Sequence, residues 1–430
     1  MSALLLLAIF YIISLAAFWP GVMSPDATIQ HAAAIAGLYT DHHPPMMSLW
    51  WRYLDKIYPG PGLMFTFHIS MLYAAAAIFI CMFRDSKFKW WYAIYPLIPN
   101  MLAYTSLIVK DAGFTYCYLL AGAILAYLMV NRDSKHKNLL LIATTVLLFY
   151  GTAVKFQAQY LLVFFTIGIV YCLSNYKLTW RTLINGIGLN FAILLAILLV
   201  NSHLVPQTQK SNSWQLVKLY DLSALSIELN QPMYPDFILQ QDNFDFAKIK
   251  QLFEPQEVDP LVFPKDSVLK PGSNEAQRTV LWSYWFNMIK KHPLLYLKIR
   301  LKLFSHNLTS APSERSDPVQ FLSSTALQPL LAHSMVANLI NAGYSVFKIA
   351  LRFMWLLPIL ALHCYIAIRK FNQVREAAPL LMFSVTSIAM LLILLFLSMA
   401  GTARYVFLCT CLIHASHGFA YRAWEGKKHK

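Results

Sequence analysis

The chain has 430 residues, of which 58% are hydrophobic and only 13% charged, and its mean hydropathy is +0.50. That balance excludes an ordinary soluble enzyme, which needs far more charged surface, and long apolar runs in place of short alternating segments exclude a membrane β-barrel. The net charge of +15 is then read through topology, as cytoplasmic loops and contact with anionic membrane lipids, with no nucleic acid as partner.

The expected class is an all-α polytopic membrane protein. A hydrocarbon core of roughly 30 Å takes about 20 apolar residues per helix, and ten stretches suit: 3–22, 62–83, 90–109, 113–131, 139–155, 158–174, 182–202, 343–368, 378–400 and 403–421. The first lacks a basic leading region and a small-residue cleavage site, so it reads as a retained helix and not a signal peptide. The connectors RDSKFK (84–89), NRDSKHK (131–137), Lys177 to Arg181, RKFNQVRE (369–376) and the tail 422–430 are all basic. They share one side if the N-terminus starts there, and the positive-inside rule makes that side, with both termini, cytoplasmic. RDSK occurs twice, at 84–87 and 132–135; two basic loops after similar spans account for it as well as a duplicated helix pair does. The six cysteines, 81, 117, 172, 364, 409 and 411, lie inside apolar runs and read as small buried hydrophobes, not as a disulfide framework or zinc cluster.

The opposite face receives the first loop (23–61), the turn at Lys110 and Asp111, a turn near Lys155, a large segment (203–342) and the turn Gly401 to Arg404. The chain therefore divides into an N-terminal membrane module (1–202), a proline-rich outer lobe (203–342) and C-terminal spans with a basic tail (343–430). Within the lobe, 292–310 mixes apolar and basic residues at helical spacing. Three cations in lipid would cost roughly 2.5 to 3.5 kcal/mol each at mid-membrane, so the expected place for this helix is the membrane surface. Asn307-Leu308-Thr309 matches a glycosylation sequon.

The first loop concentrates the titratable groups. Ser24 and Pro25 make a helix start through DATIQHAAAIAGLY, with Asp26 in the first turn and Gly37 as its stop. Asp41, His42 and His43 then precede Pro44 and Pro45, so two prolines stiffen the backbone just after three side chains that can bind protons, a phosphate or a metal. Lys110, Lys155 and Arg404 put cations on other turns of the same face. A pocket gathering these groups would suit transfer from a phosphate-linked lipid: a carboxylate takes the acceptor's proton, and cations stabilise the departing phosphate.

The run SPDATIQ, TDHHPP, the VKDAG turn, KLYDLSALS (218–226) and ARYV, set in this topology, resembles the GT-C glycosyltransferases, and among them bacterial members that glycosylate cell-envelope polymers or lipids. The motifs cover some thirty residues. The resemblance implies a GT-C-like fold in the inner membrane, a polyprenyl-phosphate sugar as donor, and a lipid or glycan hydroxyl as acceptor. It implies Asp26 as general base, with Gln30 one helical turn on and Asp41, His42 and His43 lining the same cleft. Lys110 and Arg404 become the expected phosphate contacts, with Lys155 a third, and Asp111 and Tyr405 their neighbours in the binding site. The chain departs from the acidic pair of many such first loops, since Ala27 and Thr28 follow Asp26; no cofactor is specified, and a divalent metal stays open. Asp221 is expected to cap a helix through Leu222 to Leu225. The alternative function is a transporter or flippase of a lipid-linked sugar, in which the cations hold phosphate but no bond is made.

Overall fold

The computed structural model describes residues 2–206, 210, 212–264, 266–310 and 349–426. Part of the outer lobe, the start of the expected eighth span and the end of the tail lie outside them. The chain separates into two compact units, Met1–Lys210 with Ala311–Leu391 and Val406–Lys430, and Ser211–Ser310 with Leu392–Tyr405.

The first unit opens with α1 (Ala3–Phe18), the two-residue strand β1 (Val22–Met23), α2 (Pro25–Ala36), α3 (Met46–Asp55) and α4 (Gly62–Met82). Then come α5 (Phe88–Ile94), α6 (Pro99–Thr105), β2 (Leu107–Ile108), α7 (Lys110–Val130), α8 (Lys137–Val154), α9 (Leu162–Leu173) and α10 (Trp180–Leu204). The stretch 90–109, expected as one span, is instead two short helices and a strand. Pro96 and Pro99 are the cause: each lacks an N–H and clashes with the preceding turn, so the helix stops and restarts.

Among the described residues, six helices are long and apolar enough to cross a membrane: α4, α7, α8, α10, Phe353–Lys370 and Ala377–Leu397. They mark the chain as a membrane protein. The apolar α1 and α9 are shorter, and the last helix, Phe407–Glu425, is a helix of 19 residues carrying His414, His417, Arg422 and Glu425. Helix α7 is the axis of the unit, with 89% of its apolar window buried, whereas α10 has only 22% buried and shows Phe191, Leu195 and Leu198 outward, as a lipid-facing helix does. Small residues along α7 let its neighbours approach, and side-chain hydrogen bonds tie the helices where lipid offers no hydrophobic drive. Examples are Ser14 with Tyr73 at 2.8 Å and Tyr118 with Thr152 at 2.7 Å.

The second unit contains α11 (Gln215–Glu228), three short helices α12 (Asp236–Leu239), α13 (Phe246–Leu252) and α14 (Asp259–Val262), then α15 (Glu275–Lys291) and α16 (Pro293–Thr309). Its core gathers Leu219, Leu222, Leu225, Ile238, Leu281 and Leu303. Asp221 does not cap a helix; it sits inside α11, fully buried, 2.6 Å from Arg300 of α16, and accepts a hydrogen bond from the Trp285 indole at 2.8 Å. Helix α16 therefore turns Ile299, Arg300 and Leu303 into the unit and leaves Leu294, Leu297 and Leu301 exposed. Its central cation needs no lipid accommodation, because Asp221 answers it. Burial pushes the Asp221 carboxyl upward while Arg300 pulls against it. One turn before Asp221, the Lys218 ammonium lies 4.1 to 4.7 Å from the ring centres of Trp214, Trp282 and Trp285, and burial draws it down to about 8.

The last described helices of the chain are α17 (Leu357–Lys370), α18 (Ala377–Leu397) and α19 (Phe407–Glu425).

Candidate functional site

The site is built on the smallest sheet a protein can have. β1 pairs in parallel with β2, Val22 opposite Leu107 and Met23 opposite Ile108, and the Val22 amide continues the ladder to the Ser106 carbonyl at 2.8 Å. Each strand runs directly into a helix. After β1, Ser24 caps α2 by accepting from the Ala27 amide at 3.1 Å, and Pro25 takes the first turn; Gly37 ends the helix at φ 68°, where a side chain would be strained. After β2, Val109 leads into α7. Two helix N-termini thus start side by side, and both favour negative charge.

Asp26 and Asp111 hold matching places in this arrangement, each three residues beyond a paired strand residue and each in the first turn of its helix. Their surroundings differ. Asp111 is almost fully buried and receives a hydrogen bond from Lys155 at 2.6 Å. Lys155 occupies an extended residue between α8 and a 3-10 turn, and Tyr118 clamps that break from both sides through Thr152 at 2.7 Å and the Ala158 carbonyl at 3.0 Å. Asp26 is 26% exposed, with Lys110 Nζ 3.5 Å from Oδ2 and His43 Nε2 4.0 Å from Oδ1.

Lys110 also stands 2.7 Å from His43 Nδ1. An ammonium only donates, so Nδ1 must accept, and the imidazole is the neutral tautomer carrying its proton on Nε2, the nitrogen facing Asp26. Burial holds His43 down to about 3; Lys110 pushes the same way, Asp26 opposes, and His42 and Lys155 add smaller depressions. The His42 and His43 rings lie 4.5 Å apart, and Asp41 and His42 are half-buried in the bend before Pro44. Among the described residues no group of three or more His, Cys, Asp or Glu side chains is arranged for a metal ion. At Asp41, His42 and His43 the reason is visible, since His43 gives one nitrogen to Lys110 and turns the other toward Asp26.

Gln30 lies one turn beyond Asp26, 1% exposed, and neither of its amide atoms has a hydrogen-bond partner among the described residues. A buried carboxamide left in this state costs about 1 to 3 kcal/mol. The residues that come together in the first unit are therefore Asp26, Gln30, His43, Lys110, Asp111 and Lys155. Arg404 and Tyr405 belong to the second unit, in the 3-10 turn Ala403–Val406, where the guanidinium sits 5.4 Å from the Tyr405 ring centre.

Sequence reasoning missed His68. It is buried in the second turn of α4 with neither ring nitrogen bonded among the described residues, and its Nε2 lies so close to Gly113 that a Cβ there would stand 2.6 Å away. Its place is thus against the first turn of α7, two residues beyond Asp111. The available signal was a lone ionisable residue inside an otherwise apolar span. Comparison with known protein families, with curated proteins and with solved structures finds no match for the chain.

Proposed function

We propose that the chain is a membrane glycosyltransferase of GT-C type. It moves a sugar from a polyprenyl-phosphate donor to a hydroxyl of a cell-envelope glycan or lipid at the outer face of the inner membrane, with Asp26 as general base. The observation that carries the reading is the half-open Asp26 between Lys110 and neutral His43, with the unbonded Gln30 one turn away.

The step needs a base, a cation and an orienting polar group within one substrate length. Asp26 takes the proton of the acceptor hydroxyl as its oxygen bonds to C1 of the sugar; the C1–O bond to phosphate breaks, and the polyprenyl phosphate leaves with the electron pair. Lys110 and the two helix N-termini meet the charge that grows on the phosphate. The Nε2 proton of His43 faces Asp26 and steadies its carboxylate, while Gln30 offers a donor and an acceptor to sugar hydroxyls. Lys155, tied to buried Asp111, supports the cradle electrostatically. Arg404 and Tyr405 stay candidates for phosphate on the strength of the resemblance.

The test is transfer of radiolabelled sugar from a synthetic polyprenyl-phosphate donor by purified protein. A general base contributes roughly 10²- to 10⁴-fold, so Asp26→Asn is expected to lose transfer by that order with an unchanged melting temperature. Unchanged transfer by Asp26→Asn would remove Asp26 from the chemistry. No transfer with any donor, together with lipid-linked sugar flux in liposomes, would replace the enzyme with a transporter.

A further inference from the structure

A second site lies far along α7 from its N-terminus, at the end where three basic connectors meet. An apolar groove of about 140 Å³ opens between α7, α9 and the Ala377–Leu397 helix, lined by Met129, Phe164, Gly168, Tyr171, Phe371 and Met382 among others. Gly168 lets the other walls approach α9: a Cβ there would stand 3.1 Å from Met382 Sδ and 3.2 Å from Met129 Cε, so a larger side chain would have to displace these two lining residues into the slot. The lining takes no part in the site described above.

The mouth is charged. Arg132, from the connector after α7, and Lys137, where that connector enters α8, lie 4.7 and 5.0 Å from the centre of the Tyr176 ring. Tyr176 stands edge-on to Tyr171 of the groove wall at 5.9 Å. Arg375, from the connector before the Ala377–Leu397 helix, donates to the Val130 carbonyl at 3.1 Å, next to Met129. Lys177 and Lys370 adjoin the lining residues Leu178 and Phe371 in sequence. The acidic groups here are Asp133, whose charge reaches Tyr176, and Glu376, which pairs with Arg422 at 3.7 Å. A second observation points to a ligand: Arg132 Nε is buried without a hydrogen-bond partner among the described residues.

We infer that this groove binds one anionic phospholipid, with an acyl chain between α9 and the Ala377–Leu397 helix and the phosphate at Arg132, Lys137 and Arg375. An apolar slot in the membrane-embedded unit accepts a hydrocarbon chain, and a mouth with more cations than carboxylates selects a negative headgroup. A neutral lipid would fill the slot but bring no net negative charge to the cations at its mouth.

The test is native mass spectrometry of the full chain in mild detergent, titrated with dioleoylphosphatidylglycerol or dioleoylphosphatidylcholine. Wild type is expected to retain one phosphatidylglycerol about tenfold better than phosphatidylcholine. Arg132→Gln with Lys137→Gln is expected to bring the two lipids close to equal, while Gly168→Leu, which fills the slot, lowers retention of both. The charge variant alters only partly exposed connector residues, so it reads out even where Gly168→Leu fails to fold. Equal retention of the two lipids by wild type overturns the inference, as does an undiminished preference for phosphatidylglycerol in the charge variant.

Discussion

Replacing Lys155 by Met separates a buried ion pair into its parts. Lys155 and Asp111 are 5% and 4% exposed and 2.6 Å apart, so neither charge has bulk water to fall back on. Removing one partner of such a pair typically costs about 3 to 5 kcal/mol, whereas replacing both with uncharged groups is often close to neutral. Lys155→Met is therefore expected to be strongly destabilising, and Lys155→Met with Asp111→Asn to recover most of the loss. The chain carries its own reporters: Cys117, Cys172, Cys409 and Cys411 are buried free thiols, which a thiol-reactive fluorophore detects as they are uncovered by heating. At about 2 to 4 °C per kcal/mol for larger domains, the single variant is expected to melt roughly 6 to 20 °C lower. A single variant that melts like wild type, or a double variant no better than the single, would refute the idea that the pair holds α8 to α7.

Two further outcomes follow from the same region. His43 is depressed to about 3 in the folded chain against 6.5 as its ordinary value, so the unfolded chain binds the extra proton first. Its contribution is complete above about pH 6.5 and is lost as pH falls toward 3, on the order of a few kcal/mol; melting curves over this range are expected to fall more steeply for wild type than for His43→Gln, and parallel curves would contradict the burial. Gly113→Ala sets a Cβ 2.6 Å from His68 Nε2 and is expected to destabilise by about 1 to 3 kcal/mol through overpacking, a loss that Gly113→Ala combined with His68→Ala should partly restore in the same thiol assay.

The legible parts of the site are those whose physics is local. Ser24, Pro25 and Gly37 specify the ends of α2 through capping, ring geometry and positive φ, and all three act over a few residues. The helical, lipid-facing character of the chain follows from composition alone. What stayed hidden depends on pairing across long separations. The β1 to β2 ladder is two residues on each side, too short to show a period of two, and it joins positions 84 residues or more apart. Lys155 finds Asp111 across 44 residues, and Asp221 finds Arg300 across 79, so a mid-helix carboxylate read as a cap until its partner was seen. The break within 90–109 was present in the sequence as Pro96 and Pro99, but hydropathy outweighed them because the flanking residues are apolar throughout.

The matched positions of Asp26 and Asp111 bear on how the two carboxylates divide their work. Both stand in the first turn of a helix that follows the same ladder, so the helix dipoles treat them alike, and the difference comes from their burial and their cations. Lys155 closes on Asp111 at 2.6 Å in a sealed place, which fixes that charge. Lys110 is held first by His43 at 2.7 Å and only then reaches Asp26 at 3.5 Å. On the proposed reading, the arriving donor is a phosphodiester that carries one negative charge, as Asp26 does, and brings it beside Lys110; the second charge develops only as the C1–O bond breaks. Asp26 then shares the lysine with a second anion, while the hydrogen bond to His43 keeps the lysine in the site. A second anion beside a carboxylate favours uptake of a proton by it, so donor binding would favour proton transfer to Asp26 as the acceptor's oxygen bonds to the sugar, while Lys155 stays committed to Asp111 at 2.6 Å.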